Sequence, residues 1–88
     1  MQEKIIVVKF KKGLHARPAA ELVTLLSKYQ SAVKIIKDDF HIDAKSIMGV
    51  LTLAAACGSD LKFIVEGCDE HAALKSIDDF FNSGAQYD

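Results

Sequence analysis

A histidine and an arginine lie two residues apart in the segment GLHARPAA, which runs from Gly13 to Ala20 and holds the only proline of the chain. Proline has a fixed φ and no N–H, so it fits the first turn of an α-helix, and Pro18 therefore predicts a helix that begins close to His15. The unpaired amides and the positive dipole end of a helix N-terminus attract anions, phosphate in particular. An imidazole in this position can hold a phosphate or become phosphorylated.

A neutral imidazole is a good nucleophile toward phosphorus, and the resulting phosphohistidine can pass its phosphoryl group onward. Such transfer needs charge stabilisation and alignment more than covalent assistance. The backbone amides of Ala16 and Arg17, together with the Arg17 guanidinium, are placed to hold phosphoryl oxygens by charge-assisted hydrogen bonds. The same residues also fit an ordinary helix start with a poor cap and a solvated arginine, so the residues alone leave both interpretations open.

Length and composition limit the function classes. The chain has 88 residues, half of them apolar, and a net charge of −1, which indicates one small folded domain and argues against a general nucleic-acid binder. We expect a cytoplasmic protein, because Met1 opens no signal-peptide pattern and no apolar run is long enough to cross a bilayer. Cys57 and Cys68 are predicted to be buried, reduced thiols, and His41 and His71 to be surface or helix-start residues rather than metal ligands. Neither a metal site nor a cofactor is expected.

Hydrophobic periodicity predicts the element order strand, helix, strand, strand, helix, strand, helix. The first predicted strand runs from Lys4 to Phe10 and is sheltered on both faces or nearly so. The others run from Ala32 to Lys37 and from Phe40 to Asp43, around an Asp38-Asp39 turn, and from Leu61 to Gly67. The predicted helices run from Ala16 to near Tyr29, from the N-cap Ser46 to a stop at Gly58, and onward from the N-cap Asp69, with a frayed tail from Asn82 to Asp88.

Each predicted helix has one apolar stripe to bury, so the simplest architecture places all three helices on one face of a four-stranded antiparallel sheet. The fold class is therefore α+β, an open-faced β-sandwich with the order βαββαβα. Before the histidine lie three lysines, Lys9, Lys11 and Lys12, which fit a solvated strand end or local steering of anions.

The second predicted helix has more apolar residues than one stripe can bury. Its stripe comprises Ile47, Val50, Leu51 and Ala54, and the residues outside that stripe are Met48, Leu53 and Cys57. Either the helix is covered on more than one side, or part of it forms an exposed contact surface for another protein.

Two segments of the chain resemble a known family. GLHARPAA closely resembles the active-site segment of HPr, the histidine-containing phosphocarrier of the bacterial sugar phosphotransferase system, and KSIMGVLTL, from Lys45 to Leu53, resembles its second signature. The similarity extends over nearly all 88 residues, and the predicted element order agrees with the family fold. Three positions depart from the common pattern of the family. Lys12 stands where a small residue is common, Ala20 replaces a frequent serine or threonine, and Ala54 replaces a frequent glycine.

The resemblance implies that His15 accepts a phosphoryl group on Nδ1 from phosphorylated Enzyme I, with phosphoenolpyruvate as the ultimate donor, and passes it to Enzyme IIA domains. It implies that Arg17 contacts the phosphoryl group and that Ser46 is phosphorylated by a dedicated HPr kinase/phosphorylase. The partner-binding patch would then be Ile47, Met48 and Leu51. A catabolite-control transcription factor is a further implied partner, and a monomer is expected.

Three alternative functions can be set against this one. A regulatory HPr-like paralogue would act mainly by binding a transcription factor, but paralogues of that kind lack the active-site histidine. A carrier in a nitrogen-related relay would differ mainly in its partners, and the KSIMGV sequence favours the sugar branch. An RNA-binding module of similar architecture needs aromatic side chains on the open sheet face and a basic surface, which this composition does not supply.

Overall fold

The computed structural model describes residues 1–83 and contains four strands and three helices in the predicted order. The strands are β1 (Gln2–Val7), β2 (Ala32–Lys37), β3 (Phe40–Asp43) and β4 (Asp60–Glu66), and the helices are α1 (Ala16–Leu26), α2 (Ile47–Thr52) and α3 (Glu70–Asn82). The predicted frayed tail falls partly on α3, which continues to Asn82, and otherwise on residues 84–88, outside the described part. In residues 1–83, none of the helices has the length and apolar character that crossing a membrane requires.

The four strands form one antiparallel sheet in the order β1-β4-β2-β3. Side chains of alternate residues point to opposite faces, and one face carries the core while the other is open. On β1, Ile6 is buried whereas Ile5 is 63% exposed and Val7 42% exposed. The prediction that the first strand is sheltered on both faces is therefore wrong, because the helices cover only one face of the sheet.

The covered face packs against the apolar stripes of α1 and α3. The buried residues of α1 include Ala19, Leu22 and Leu26, and those of α3 are Ala73, Ile77 and Phe81. Phe81 stacks on Phe10 with ring centroids 5.4 Å apart, and it meets the edge of Phe63 at 5.6 Å. Aromatic pairs in these geometries add to the stability that burial of the rings provides, so α3 is held firmly to the β1 and β4 side of the sheet.

The turn between β2 and β3 forms at Asp38 and Asp39, as the sequence predicts. Asp38 adopts a φ of 55°, in the left-handed region that a glycine usually occupies. Aspartate is among the residues that tolerate this conformation, which is why the hairpin closes without a glycine.

Helix α2 is shorter than the sequence predicts. It ends at Thr52 rather than near Cys57, and the turn after it carries Ala54 in the left-handed region, with a φ of 48°. The amides of Leu53 and Ala54 donate to the carbonyls of Val50 and Leu51, which tightens the last turn into the 3₁₀ form. The prediction that the helix stops at Gly58 is therefore wrong. Gly58 lies in the turn that follows, and its amide donates a hydrogen bond to the carbonyl of Val8.

Replacing Ala54 with glycine is expected to stabilise the protein. The left-handed conformation costs an L-residue about 1–2 kcal/mol, and glycine removes this cost while adding roughly 0.4–1 kcal/mol of unfolded-state entropy. We expect a net gain of about 0.5–1 kcal/mol in the free energy of unfolding, measured by urea denaturation. Ala72→Gly, at an exposed position inside α3, is the control and should lose about as much. A loss in both variants would contradict the argument.

The two cysteines are exposed, so the prediction of buried thiols is wrong. Both lie in connections rather than on the apolar stripes: Cys57 follows α2, and Cys68 lies between β4 and α3, where its thiol is 3.5 Å from Oε1 of Gln30. His41 and His71 are exposed, as predicted.

Asp69 precedes α3, but its side chain does not cap that helix. Its carboxylate instead accepts hydrogen bonds from the amides of Gln30 and Ser31, both at 2.9 Å, and from the Ser31 hydroxyl. The Ser31 hydroxyl is the main cause that lowers the pKa of Asp69. Instead of capping α3, the Asp69 carboxylate thus links the start of that helix by hydrogen bonds to the connection between α1 and β2.

The next residue, Glu70, gives stability a predictable dependence on pH. Its hydrogen bond to the Met1 ammonium, together with the Gly67 amide, lowers the pKa of Glu70 from 4.5 to about 2, and the same contact raises the pKa of the ammonium above 8.0. The carboxylate contributes stability that is present above pH 4.5 and lost as the pH falls toward 2, whereas the ammonium contribution is lost as the pH rises through its raised pKa.

Melting temperature measured against pH is therefore expected to decline at both ends for the wild type. Glu70→Gln should flatten the decline of the melting temperature at alkaline pH. It should also reduce the decline at acid pH, where the part that remains comes from Asp69. Asp39→Asn, which removes a carboxylate from an exposed residue in the turn between β2 and β3, is the control for the loss of one negative charge. Identical profiles for the two variants would show that the contact with Met1 does not stabilise the fold.

Candidate functional site

The connection from β1 to α1 is shaped by a close backbone approach at Gly13. Its φ is 73°, and a Cβ on this residue would lie 2.4 Å from the carbonyl oxygen of Ala55. The next amide, that of Leu14, donates to the same carbonyl at 2.8 Å. Only glycine fits here, because a side chain would meet both the backbone strain and the contact. The loop that carries His15 is therefore fastened to the loop that follows α2.

His15 is the N-cap residue of α1, with extended backbone angles and no side-chain capping hydrogen bond. The amide of Ala19 donates to the His15 carbonyl at 2.9 Å, and this is the first bond of the helix, so the amides of Ala16 and Arg17 precede the helical hydrogen-bond ladder. The ring is half-buried, and its Nε2 atom is buried with no hydrogen-bond partner in the structure. The structure thus places an uncommitted imidazole at an open helix N-terminus.

Arg17 lies in the first turn, two residues beyond His15, with its side chain 73% exposed. Its Nε is 4.0 Å from Oε2 of Glu21, one turn along the helix. An exposed ion pair at this distance contributes little to stability. The guanidinium lies in the first turn of the helix that begins after His15.

An open depression of about 400 Å³ lies beside His15. Its lining residues come from the loop before α1, from α2 and from the loop that follows α2, and they are Lys12, Leu14, His15, Ala16, Leu51, Ala54, Ala55 and Ala56. Its floor is largely apolar, and Lys12 is the only lysine or arginine among these residues. The depression joins the histidine to Leu51, one of the residues of the predicted partner-binding patch.

Ser46 caps α2 as predicted, and it is exposed. Its Oγ accepts a hydrogen bond of 3.2 Å from the amide of Gly49, and its carbonyl accepts one of 3.0 Å from the amide of Val50. The hydroxyl thus lies at the positive end of a short helix, where its cap bond is one that a serine commonly makes.

The surplus of apolar residues on α2 is divided between the core and the surface. Val50 and Leu53 are buried in the core, whereas Ile47 is 39% and Met48 67% exposed. Leu51 is half-buried between these two groups. The predicted partner-binding patch of Ile47, Met48 and Leu51 is therefore a contiguous stretch of partly exposed apolar side chains next to Ser46, and its Leu51 end reaches the depression beside His15.

Sequence reasoning missed the loop from Ala54 to Ala56 as part of the site. The sequence predicts these residues as part of α2, because AAAC continues an apolar run of good helix formers. A signal did exist at Gly13, since a glycine two residues before the histidine indicates a tight turn or a close approach of another backbone. It gives no information on which distant segment makes that approach.

Comparisons with known proteins identify the family to which the chain is related. A family model described as the PTS HPr component phosphorylation site matches residues 2–83. The Phosphocarrier protein HPr of Treponema pallidum is 45% identical over 83 residues, which cover 94% of each chain. The HPr-like protein Crh of Halalkalibacterium halodurans is 44% identical over 77 residues, which cover 88% of this chain and 92% of that one.

A solved structure, HPr-C-His from Thermoanaerobacter tengcongensis, is similar to this chain with a TM-score of 0.94 and 41% identity, covering 100% of this chain and 99% of that chain. The family model, the curated relatives and the fold thus point to one family over nearly the whole length of the chain. The chain belongs to the HPr family of phosphocarrier proteins.

Proposed function

We propose that this phosphocarrier accepts a phosphoryl group on His15 from phosphorylated Enzyme I and passes it to Enzyme IIA domains in the cytoplasm. The observation that carries the proposal is the environment of the His15 ring. Its Nε2 is buried, so Nδ1 is the nitrogen left to meet an incoming phosphoryl group at the open end of α1.

In the transfer step, the lone pair of Nδ1 attacks phosphorus, and the bond between phosphorus and its donor atom on Enzyme I breaks. The donor atom keeps that electron pair, and the phosphoryl group becomes bonded to Nδ1. The reverse sequence passes the group to an acceptor on Enzyme IIA. The amides of Ala16 and Arg17 and the helix dipole offer positive charge to the phosphoryl oxygens, which is the kind of assistance that phosphoryl transfer requires.

Arg17→Ala is expected to slow phosphoryl acceptance about 10- to 100-fold, because the guanidinium stabilises charge on the transferring group. Arg17→Lys should recover only part of the rate, since an ammonium lacks the planar fork of donors. The measurement is the initial rate of phosphorylation by Enzyme I, with Lys28→Ala as a control for the loss of an exposed positive charge beyond the other end of α1. Equal rates for Arg17→Ala and the wild type would assign the stabilisation to the backbone amides alone.

We further propose that Ser46 is the site of regulatory phosphorylation by an HPr kinase/phosphorylase. Its exposed hydroxyl at the start of α2 is accessible to a kinase and is adjacent to Ile47 and Met48 of the partner-binding patch. A phosphate there changes the charge of the surface that Enzyme I would contact, and it can create a new surface for a catabolite-control transcription factor.

The similarity to Crh supports a second candidate function, a regulatory protein that acts through binding a transcription factor rather than through phosphoryl transfer. The two functions make opposite demands on His15, which a carrier uses and a purely regulatory protein does not. A nitrogen-branch carrier is distinguished only by its partners, and comparing transfer to sugar-branch and nitrogen-branch acceptors separates it.

The deciding experiment incubates the protein with phosphoenolpyruvate, with and without Enzyme I, and measures the intact mass. We expect the mass of one phosphoryl group to be added only when Enzyme I is present. If no mass is added under conditions in which a known HPr is labelled, the carrier function is wrong and the regulatory candidate takes its place.

A further inference from the structure

Lys12 stands apart from the other lysines that precede His15. It lines the depression beside the histidine, whereas Nζ of Lys9 lies 3.4 Å from Oδ1 of Asn82 at the end of α3. Lys12 is exposed, and it forms no ion pair within residues 1–83. The residues that line the depression with it include no carboxylate. Its positive charge is therefore not neutralised by any acidic residue in the depression.

We propose that the Lys12 ammonium binds the phosphoryl group carried by His15, as a second side-chain cation in addition to Arg17. This inference rests on the proposed function, since it concerns the phosphorylated form. Three observations support it: Lys12 and His15 line the same depression, most of the other residues that line it are apolar, and Lys12 forms no ion pair within residues 1–83. A long flexible ammonium in such a position pairs with an added dianion at little cost.

The expected effect has a definite sign and size. A positive charge favours the dianionic form of a phosphoryl group over the monoanion, so it lowers the second pKa of that group. For an ammonium about 4 Å from the phosphoryl oxygens in water, the interaction corresponds to roughly a fivefold change in proton affinity, or about 0.7 pH unit. Added salt weakens the effect, because both groups are exposed.

The test phosphorylates His15 chemically, so it does not depend on Enzyme I. Phosphoramidate transfers its phosphoryl group to an imidazole nitrogen and releases ammonia, and His41→Gln with His71→Gln leaves His15 as the only acceptor. Titration of the phosphorylated protein by ³¹P NMR then gives the second pKa of the phosphoryl group. Lys12→Gln is compared with Lys9→Gln, which removes the same charge from a side chain directed at α3, and with Lys12→Arg.

We expect Lys12→Gln to raise the titration midpoint by about 0.7 pH unit, with a smaller shift in Lys9→Gln and a midpoint near the wild type in Lys12→Arg. Equal midpoints for Lys12→Gln and Lys9→Gln would overturn the proposal. Slower acceptance from Enzyme I in Lys12→Gln with no midpoint shift would also overturn it and assign the lysine to partner binding. A midpoint shift without Enzyme I-dependent labelling of the wild type would leave the inference standing and refute the carrier function.

Discussion

His15→Ala is expected to abolish Enzyme I-dependent phosphorylation, because it removes the imidazole nucleophile at the open end of α1. The wild-type product should be labile in acid, as phosphoramidates are, whereas a phosphoserine would survive. Intact mass before and after mild acid treatment measures both properties. The variant should keep its fold, since the His15 side chain makes no capping hydrogen bond, and its unfolding free energy should stay within about 0.5 kcal/mol of the wild type.

Two matched controls make this result specific to position. His41→Ala and His71→Ala remove the other histidines, both exposed, and should be labelled like the wild type. A melting curve for each variant separates loss of the acceptor from loss of the fold. Labelling of folded His15→Ala by Enzyme I, or loss of labelling in either control, would disprove the assignment of the acceptor to His15.

Phosphorylation of Ser46 is expected to reduce acceptance from Enzyme I by about a hundredfold or more without destabilising the protein. The hydroxyl lies at the N-terminus of α2, where its oxygen accepts from the Gly49 amide. A phosphate at a helix start meets unpaired amides and the positive end of the dipole, so the modified protein should melt at the same temperature or higher.

The inhibition would then arise at the surface that is proposed to contact Enzyme I. A phosphate places a charge of about −1.5 to −2 beside Ile47 and Met48, the exposed part of the partner-binding patch. Juxtaposed like charges across an interface cost several kcal/mol, and each 1.4 kcal/mol is a tenfold loss of affinity. Binding is therefore expected to weaken by orders of magnitude, while the histidine itself stays intact.

The experiment measures melting temperature and the rate of acceptance for the wild type, kinase-treated protein, Ser46→Asp and Ser46→Ala. Ser46→Asp, with one charge, should inhibit partially. Ser46→Ala should accept at the wild-type rate and lose about 1 kcal/mol with its cap. A lower melting temperature that tracks the loss of transfer would refute the interface explanation, and unchanged transfer after phosphorylation would leave Ser46 as a cap alone.

Local rules predicted most of the fold, because several elements follow from residues close to one another in sequence. The stripe of Ala19, Leu22 and Leu26 predicted α1 and its buried face, and the Asp38-Asp39 pair predicted the hairpin. The candidate acceptor followed from Pro18, which indicates where the helix begins. Each of these signals acts within a few residues, so neither tertiary packing nor the rest of the chain is needed to interpret it.

Two of the wrong predictions, the Asp69 cap and the length of α2, involve partners that are distant in sequence. Asp69 looks like a cap, but Ser31 and Gln30, more than thirty residues earlier, compete successfully for its carboxylate. The run from Leu53 to Cys57 looks helical, but the Ala55 carbonyl is needed by the Leu14 amide. Such contacts exceed the few tenths of a kcal/mol by which helix propensities differ, so the tertiary structure overrides the local preference.

His15 makes no capping hydrogen bond, so the residue that would best stabilise the helix start differs from the residue that the proposed function requires. A serine or aspartate there would satisfy an amide of α1 and add about 1 kcal/mol to the fold, yet it would remove the imidazole. If His15 is the proposed phosphoryl acceptor, a library of variants sorted by heat resistance alone would consequently enrich for inactive sequences at residue 15. Substitutions intended to raise the thermal stability of the protein should therefore leave residue 15 unchanged and be made at other positions.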